Sequence, residues 1–278
     1  MVNTTSKNWL AGTSAIALSL GMSDTADAGF EDLCGTAIQQ DTQISGVAEL
    51  VRGCEITILD GARLIVDESF LSITSELRLR GYGSASLEIK NSDVTVEEEL
   101  DIVFEYGDIV LSNNSNIGGR RTFDGGINIG SSGDIVVTNN RFDFTERGSV
   151  LNITSTDGEI RFNRNLIAPQ RGIVDATISS QVGDVSIVDN ELLAVSLFAQ
   201  SQDGKIDVWR NTGLDCRGST CPSPYDFRIA TSTGNINVVM NFIETTRSVS
   251  ILSDTGDLKV FKNDFGESSG GGRNTYWR

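Results

Sequence analysis

One short pattern recurs seven times between residues 107 and 263, and it restricts the fold more than any other feature of the sequence. Each copy begins with glycine, carries apolar residues two and four positions later, and has asparagine seven positions later. The glycines are Gly107, Gly133, Gly158, Gly183, Gly204, Gly234 and Gly256. The asparagines are Asn114, Asn140, Asn165, Asn190, Asn211, Asn241 and Asn263. Because residues two apart share one face of a strand, each copy predicts a short strand with one inward face.

The spacing of the copies predicts one coil of a solenoid per copy. Successive glycines are 26, 25, 25, 21, 30 and 22 residues apart, which is too short for a four-stranded propeller blade of ~40 to 45 residues. In a parallel β-helix, coils pair at a strand spacing of ~4.8 Å, so equivalent residues form columns. The asparagines should then form a ladder, because an amide both donates and accepts hydrogen bonds and asparagine tolerates the left-handed conformation of a tight bend.

Two further sets of apolar residues predict the other walls of each coil. One set is a pair before the glycine: Ile127 and Ile129, Leu151 and Ile153, Phe227 and Ile229, and Val249 and Ile251. The other set lies nine residues after the glycine: Phe142, Ile167, Leu192, Ile243 and Phe265. Three walls around one elongated core are therefore expected.

The repeated pattern of glycine, acidic residue, apolar residues and asparagine resembles the right-handed parallel β-helix proteins of the pectin-lyase-like group. The resemblance is strongest over residues 107–266 and weaker back to residues 62–66. It implies an all-β, right-handed parallel β-helix of about ten coils, a hand that parallel crossovers also favour. We expect the β-helix over residues 54–266, an N-terminal cap over 29–53 and a C-terminal tail over 267–278. Tyr276 and Trp277 in this tail either cover the end of the β-helix or remain free for a partner.

The first 28 residues have the features of a secretory signal peptide. An apolar and small-residue stretch over residues 9–22 is followed by the small-x-small sequence Ala26-Asp27-Ala28. No later run approaches the ~20 apolar residues of a membrane span. The sequence thus predicts a secreted or periplasmic protein whose mature chain has no transmembrane segment.

The four cysteines fit an oxidising compartment. Cys34 and Cys54 form one sequence-local couple and Cys216 and Cys221 the other, and pairing within each couple is the simplest of three connectivities. Neither couple has Cys-x-x-Cys spacing, which disfavours a metal site. Two disulfides are the prediction.

Composition excludes several classes of function. Histidine is absent, which removes mechanisms that depend on an imidazole. The formal net charge of −16 opposes nucleic-acid binding, so we expect no nucleic-acid partner.

An acidic column is expected directly after the repeat glycines. It contains Asp108, Asp134, Glu159 and Asp184, and Asp257 in the last copy. Stacked carboxylates repel one another, and calcium bound by these oxygens would relieve the repulsion. The competing interpretation is a solvated turn in which aspartate suits the bend. Calcium is the one cofactor that the sequence suggests.

The candidate ligand site lies five residues after the repeat glycines. This position becomes apolar in the last four copies, which include Trp209 and Phe261, while Arg210, Asp207 and Arg161 lie nearby. An outward-facing column of this kind would suit a sugar ring or a partner chain. The alternative is that the column lies in the core beneath a loop.

These observations favour a secreted, non-catalytic β-helix that binds a glycan, a cell envelope or another protein. The first alternative is an extracellular polysaccharide lyase or glycoside hydrolase, favoured by analogy with the fold alone. The second is an exported scaffold that assembles with itself. The sequence contains no histidine-based or clustered-arginine signature of catalysis and leaves the catalytic residues and the oligomeric state undefined.

Overall fold

The computed structural model of the chain describes residues 29–119, 126–145, 148–170, 172–214, 225–267 and 273–277. The predicted signal peptide and the couple Cys216 and Cys221 lie outside these residues. The described chain contains one 3-10 helix, Glu31–Leu33, and thirty strands, which form three faces.

The strands of the first face form a separate parallel sheet of ten strands. Face 1 consists of β2 (Thr42–Ser45), β5 (Arg63–Asp67), β8 (Ser86–Lys90), β11 (Ile109–Ser112), β14 (Ile135–Thr138), β17 (Ile160–Asn163), β20 (Val185–Val188), β23 (Ile206–Trp209), β26 (Ile236–Val239) and β28 (Leu258–Phe261).

The other two faces are joined into one sheet through a long strand near the C-terminal end, β27 (Phe242–Ser253). Besides the start of β27, face 2 consists of β3 (Ala48–Val51), β6 (Phe70–Ile73), β9 (Asp93–Val96), β12 (Asn116–Gly119), β15 (Arg141–Phe144), β18 (Leu166–Pro169), β21 (Glu191–Leu193), β24 (Thr212–Leu214) and β29 (Asp264–Glu267). Besides the end of β27, face 3 consists of β1 (Ala37–Ile38), β4 (Cys54–Ile58), β7 (Leu77–Gly81), β10 (Leu100–Phe104), β13 (Gly126–Ser131), β16 (Ser149–Ser155), β19 (Val174–Ser180), β22 (Val195–Ser201), β25 (Tyr225–Thr231) and β30 (Arg273–Trp277).

The chain visits the faces in the order 1, 2, 3 and pairs each strand with its equivalent in the next coil. All pairs are parallel; for example, Ile135 of β14 is in register with Ile160 of β17. Face 1 has ten strands and therefore nine strand-to-strand steps, about 43 Å at ~4.8 Å per step. The prediction of an all-β parallel β-helix of about ten coils is confirmed, with about nine turns described.

The core contains the three apolar walls that the sequence predicts. Ile135 and Val137 on face 1, Phe142 on face 2, and Leu151 and Ile153 on face 3 are all fully buried. Side chains between them in the strands point outward, so each strand alternates as a half-buried strand should. The core is one continuous column of stacked apolar side chains.

The asparagine ladder forms as predicted, and serine extends it toward the N-terminus. The main-chain N–H of Asn140 donates to Oδ1 of Asn165 at 2.9 Å, and the N–H of Asn165 donates to Oδ1 of Asn190 at 2.8 Å. Nδ2 of Asn165 donates to the carbonyl of Val137 at 2.9 Å. The same pattern connects Ser69, Ser92, Asn114, Asn140, Asn165, Asn190, Asn211, Asn241 and Asn263.

The prediction that the ladder asparagines themselves adopt the left-handed conformation is wrong. The residue before each ladder position has positive φ: Glu68, Asn91, Asn113, Asn139, Arg164, Asp189, Arg210, Met240 and Lys262. The ladder residue must direct its amide into the stack, so the preceding residue makes the bend. That residue is exposed, or half-buried in the case of Asp189, so its side chain can extend toward solvent.

A second ladder that the sequence analysis missed crosses the turn between faces 3 and 1. Oγ of Ser155 donates to the carbonyl of Gly133 at 3.1 Å and accepts the N–H of Gly158 at 2.9 Å. The equivalent hydroxyls belong to Ser131, Ser155, Ser180, Ser201, Thr231 and Ser253. In the sequence, a serine or threonine stands two or three positions before each of the repeat glycines from Gly133 onward, and this pattern could have predicted the second ladder.

The repeat glycines are required for close packing between coils. A Cβ added to Gly158 would lie 2.1 Å from the carbonyl oxygen of Gly133, whereas none of the seven repeat glycines has positive φ. Any side chain there would separate adjacent turns. Glycine therefore recurs because main chain contacts main chain at this column.

The N-terminal cap begins with the 3-10 helix and already contains β1, β2 and β3. Phe30 and Leu33 are buried over the first coil, and the carboxylate of Glu49 accepts the N–H groups of Phe30 and Glu31 at 2.9 and 2.7 Å. The disulfide between Cys34 and Cys54 is present. At the other end, β30 lies within the segment predicted to be a tail and pairs in parallel with β27.

Candidate functional site

The acidic column has a structural role that does not require a metal. Oδ1 of Asp108 accepts the main-chain N–H of Asp134 at 3.0 Å, and Oδ1 of Asp134 accepts the N–H of Glu159 at 2.8 Å. Asp184 accepts the N–H of Lys205 in the same way at 2.7 Å. Each of these aspartates therefore holds the turn of the following coil, which explains why the residue type recurs.

Glu159 departs from this pattern because its longer side chain turns to a cation. Its carboxylate binds the guanidinium of Arg161, and this hydrogen bond and the charge of Glu159 raise the pKa of Arg161. Among the described residues no three acidic or cysteine side chains come together as a metal-binding group. The calcium hypothesis for Asp108, Asp134, Glu159 and Asp184 remains a prediction.

The column predicted as a ligand site points outward from face 1. Trp209 is 44% exposed, and the guanidinium of Arg210 lies 5.1 Å from the centre of its ring. Arg210 also forms a two-pronged ion pair with Asp189, with both N–O distances 2.7 Å. Phe261 is 52% exposed. Of the two interpretations of this column, the structure selects the outward-facing one.

The other predicted residues also lie on face 1, but their charged groups are already paired. Asp207 accepts a hydrogen bond from Asn237 and forms an ion pair with Lys205. Arg161 lies two strands away from Asp207, because Ser186 is in register with both. Trp209 and Phe261 are likewise two strands apart, with Val239 between them. The predicted residues therefore form a spread surface on one face.

A groove of about 980 Å³ lies elsewhere, where face 3 ends and the turn toward face 1 begins. It crosses the ends of β7, β10, β13, β16, β19 and β22, five strand steps or about 24 Å. Its outward column runs through Val103, Gly130, Thr154, Ser179 and Gln200, which are in mutual register. Glycine at position 130 and the short side chains beside it leave the space open.

Two tyrosines at one end of the groove are exposed to solvent. Tyr82 is 46% and Tyr106 70% exposed, and both line the groove beside Val103. An exposed tyrosine presents an apolar ring and a polar hydroxyl together. This end of the groove can therefore contact a flat ligand that has both apolar and polar surfaces.

The rest of the groove is lined mainly by uncharged polar side chains. Three of them, Ser131, Ser155 and Ser180, use their hydroxyls in the ladder between faces 3 and 1. The others are Ser132, Thr154, Thr156, Ser179, Gln181, Gln200 and Gln202. Within the described residues, none of these hydroxyl or amide groups has a hydrogen-bond partner in another side chain or the main chain. The main chain of the turn is held from coil to coil, as where the N–H of Gln181 donates to the carbonyl of Ser155 at 3.1 Å. The main chain of the groove is therefore held in place, while these polar side chains are available to form hydrogen bonds with a ligand.

Of the described residues that line the groove, two are charged, and both are bound to other groups of the protein. Arg80 pairs with Asp101; this hydrogen bond, followed by the charges of Asp101 and Glu55, raises the pKa of Arg80 against the opposing effect of burial. The buried Nη1 of Arg80 has no partner in the described part of the chain. The carboxylate of Glu105 accepts the N–H of Gly83 at 3.1 Å.

Sequence reasoning missed this groove because no residue type recurs along it. The outward column changes from arginine to valine, glycine, threonine, serine and glutamine over six coils. Only the neighbouring hydroxyl column, with Ser131, Ser155 and Ser180, had a repeating signal. The site arises from stacking residues that are distant in the chain.

By its fold, the chain is a parallel β-helix solenoid with an open lateral groove. Comparisons with protein-family models, with curated protein sequences and with solved structures found no match. Among the described residues, no helix has the length and hydrophobicity needed to cross a membrane.

Proposed function

We propose that this protein is an exported, non-catalytic binding module whose lateral groove takes a neutral, hydroxyl-rich glycan. The observation that carries the proposal is the combination of exposed Tyr82 and Tyr106 with a row of uncommitted hydroxyl and amide groups. A sugar ring has apolar faces for the tyrosines and equatorial hydroxyls for the polar row. The groove length of about 24 Å accommodates several rings in sequence.

The rigidity of the groove favours binding. Its polar side chains project from strands and turns that are hydrogen-bonded on both sides, so little main-chain entropy is lost when a ligand is bound. Thr154, Ser179 and Gln200 repeat at the strand spacing of ~4.8 Å, which gives an extended ligand regularly placed partners. The proposal therefore places the glycan along the solenoid axis.

The charge of the groove favours a neutral ligand over a polyanionic one. The chain has a formal net charge of −16, so a polyanion would approach against the field of the whole molecule. Within the groove Arg80 is the one cation among the described lining residues, and it is already neutralised by Asp101. Uncharged hydroxyls lose less on leaving water than carboxylates would.

The groove supports binding better than cleavage. Hydrolysis requires two carboxylates about 5 to 9.5 Å apart, and Glu105 is the one carboxylate among the described lining residues. A lyase that used an arginine or lysine as its base would need one that loses its proton readily, whereas the pKa of Arg80 is raised by its hydrogen bond with Asp101. The lyase and hydrolase alternatives thus gain no support from this site.

Two features support export of the chain. Residues 9–22 and the Ala26-Asp27-Ala28 sequence fit a signal peptide, and the Cys34–Cys54 disulfide fits an oxidising compartment. A rigid rod with a lateral binding groove suits attachment to a surface glycan outside the cytoplasm. The glycan assignment stands on the groove residues and does not depend on the compartment.

The test is titration calorimetry with soluble cello-, xylo- and manno-oligosaccharides. Binding of at least one series is expected, and Tyr106→Ala and Tyr82→Ala should each weaken it about tenfold, or ~1.4 kcal/mol. Phe70→Ala is the matched control, because Phe70 is a comparably exposed aromatic residue on face 2.

Two results would redirect the proposal. Loss of binding in Trp209→Ala but not in the tyrosine variants would move the site to face 1. Shorter sugars released during prolonged incubation with pure protein would establish catalysis. Absence of heat and of any shift in melting temperature with all three series would contradict neutral-glycan binding.

A further inference from the structure

The two ends of the solenoid are built differently. At the N-terminal end, the 3-10 helix Glu31–Leu33 lies over the first coil, and Phe30 and Leu33 are buried there. The Cys34–Cys54 disulfide ties this segment to β4. The core at this end is therefore covered by the chain itself, as the terminal repeats of a solenoid require.

The last coil leaves core residues partly open to solvent. Leu258 and Val260 of β28 are half-buried, whereas Ile236 and Val238, which precede them in the same columns, are fully buried. Phe265 is likewise half-buried at the end of the face 2 column. In the described part of the chain, β28 is the final strand of its sheet.

The hydrogen-bonding groups of β28 define what can cover this edge. The N–H groups of Ile236 and Met240 donate to the carbonyls of Asp257 and Phe261, at 2.9 and 3.0 Å. Main-chain groups alternate in direction along a strand, so Leu258 and Val260 direct theirs toward the open edge. A partner must therefore supply a strand, and must cover apolar side chains at the same time.

The surroundings of the edge are apolar and locally neutral. Exposed Met240, Phe242 and Phe261 lie on the last two coils, beside the open core residues. The four charged residues from 257 to 264 are Asp257, Lys259, Lys262 and Asp264, which cancel, although the chain carries −16 overall. Two copies of this segment can therefore approach with less charge repulsion than the net charge of the whole chain implies.

We propose that the C-terminal end of the solenoid is an interface for a second copy of this chain, joined end to end in a two-fold dimer. A second copy presents the same three-walled cross-section, so its half-buried Leu258 and Val260 match those they cover. Its N-terminal end, where Phe30 and Leu33 already cover the core, offers no open apolar side chains to match them, which disfavours head-to-tail stacking into filaments. The isologous arrangement stops at two copies, because each has one open end.

The register of the interface follows from the strand geometry. Two copies of β28 related by a two-fold axis run antiparallel, and opposing residues must point to the same side. Because β28 has four residues, the greatest overlap of the two strands places the axis beside Lys259 or beside Val260. The first choice sets two lysines directly opposite, which is destabilising, whereas the second sets Val260 against its copy and Lys259 against Phe261 of the other chain. Val260 is accordingly the centre of the interface.

The test is sedimentation equilibrium of the full chain over a range of concentrations, with two variants at Val260. The wild-type chain should form a dimer. Val260→Pro should be monomeric at concentrations where the wild-type chain is dimeric, because proline removes the N–H that faces the open edge while leaving the bonds to β26 intact. Melting temperature checks that the variant is folded.

Crosslinking tests the register. Opposed Cα atoms lie ~5.5 Å apart in a hydrogen-bonded antiparallel pair, within disulfide range, so Val260→Cys should give a covalent dimer on a non-reducing gel. Val182→Cys, at an exposed turn far from the end, is the control and should not. A wild-type monomer at every concentration would overturn the proposal, as would a folded Val260→Pro dimer or crosslinking equal at positions 182 and 260.

Discussion

At the scale of single residues, the asparagine ladder shows how one side chain can satisfy several buried groups. Each interior asparagine accepts at Oδ1 from the N–H and Nδ2 of the preceding rung and donates from Nδ2 to a carbonyl in the preceding coil. Asn165 is almost fully buried, while Asn263, at the last rung, is half-buried. The cost of losing a rung should therefore depend on its position along the stack.

Asn165→Ala is expected to destabilise the protein by about 2–5 kcal/mol. The substitution leaves the N–H of Asn140 and one of its two Nδ2 protons buried without partners, at about 1–3 kcal/mol each, while the other Nδ2 bond, to the carbonyl of Leu111, remains. Asn263→Ala should cost about 1 kcal/mol, because solvent reaches that rung. Urea unfolding measures both, and equal losses at the two positions would contradict the role assigned to burial.

The sequence predicted the ladder because its seven asparagines are identical in type and offset. It did not identify Ser69 and Ser92 as rungs, since a hydroxyl replaces the amide and the repeat pattern is blurred there. The groove was beyond sequence reasoning for a different reason. Tyr106, Thr154 and Gln200 belong to different coils, and only the register of the built solenoid brings them to one surface.

At the scale of elements, the bend between faces 1 and 2 stores backbone strain at one residue per coil. That residue is glycine in none of the described bends that lead into the ladder, although its φ lies between 48° and 58°. A non-glycine residue in this conformation costs about 1–2 kcal/mol, and asparagine tolerates it best. Asn113 and Asn139 also stack, with Nδ2 of Asn139 donating to Oδ1 of Asn113 at 3.1 Å.

Arg164→Asn should therefore stabilise the protein by about 0.5–1 kcal/mol. Arg164 has φ of 57° and forms no ion pair among the described residues, so asparagine relieves strain and can stack on Asn139. Arg164→Val is the comparison variant, and its β-branched side chain in this conformation should lower the free energy of unfolding by about 1 kcal/mol or more. Thermal unfolding of both variants checks the order; a valine variant as stable as the asparagine variant would show that the bend is unstrained.

At the scale of the whole molecule, the solenoid is a stack in which each coil contacts its neighbours, so stability should be distributed along the axis. In the described chain, each strand pairs only with the equivalent strands of the preceding and following coils, so no strand pairing joins distant coils. Covalent closure at one end should consequently protect that end most. The Cys34–Cys54 disulfide lies at the N-terminal end and closes a segment with a sequence separation of 20.

Replacing both Cys34 and Cys54 with serine is expected to cost about 2–4 kcal/mol where the N-terminal coil unfolds with the rest of the chain. If the stack frays from its ends, the loss is local: hydrogen exchange should accelerate in β1 to β4 and stay unchanged in β14 to β23. In that case the 3-10 helix would detach together with Phe30 and would open the core of the first coil. The groove near β13 to β19 would keep its shape and its glycan affinity. Hydrogen exchange measured by mass spectrometry distinguishes the cases, because uniform acceleration along the described strands would show that the solenoid unfolds as one cooperative unit.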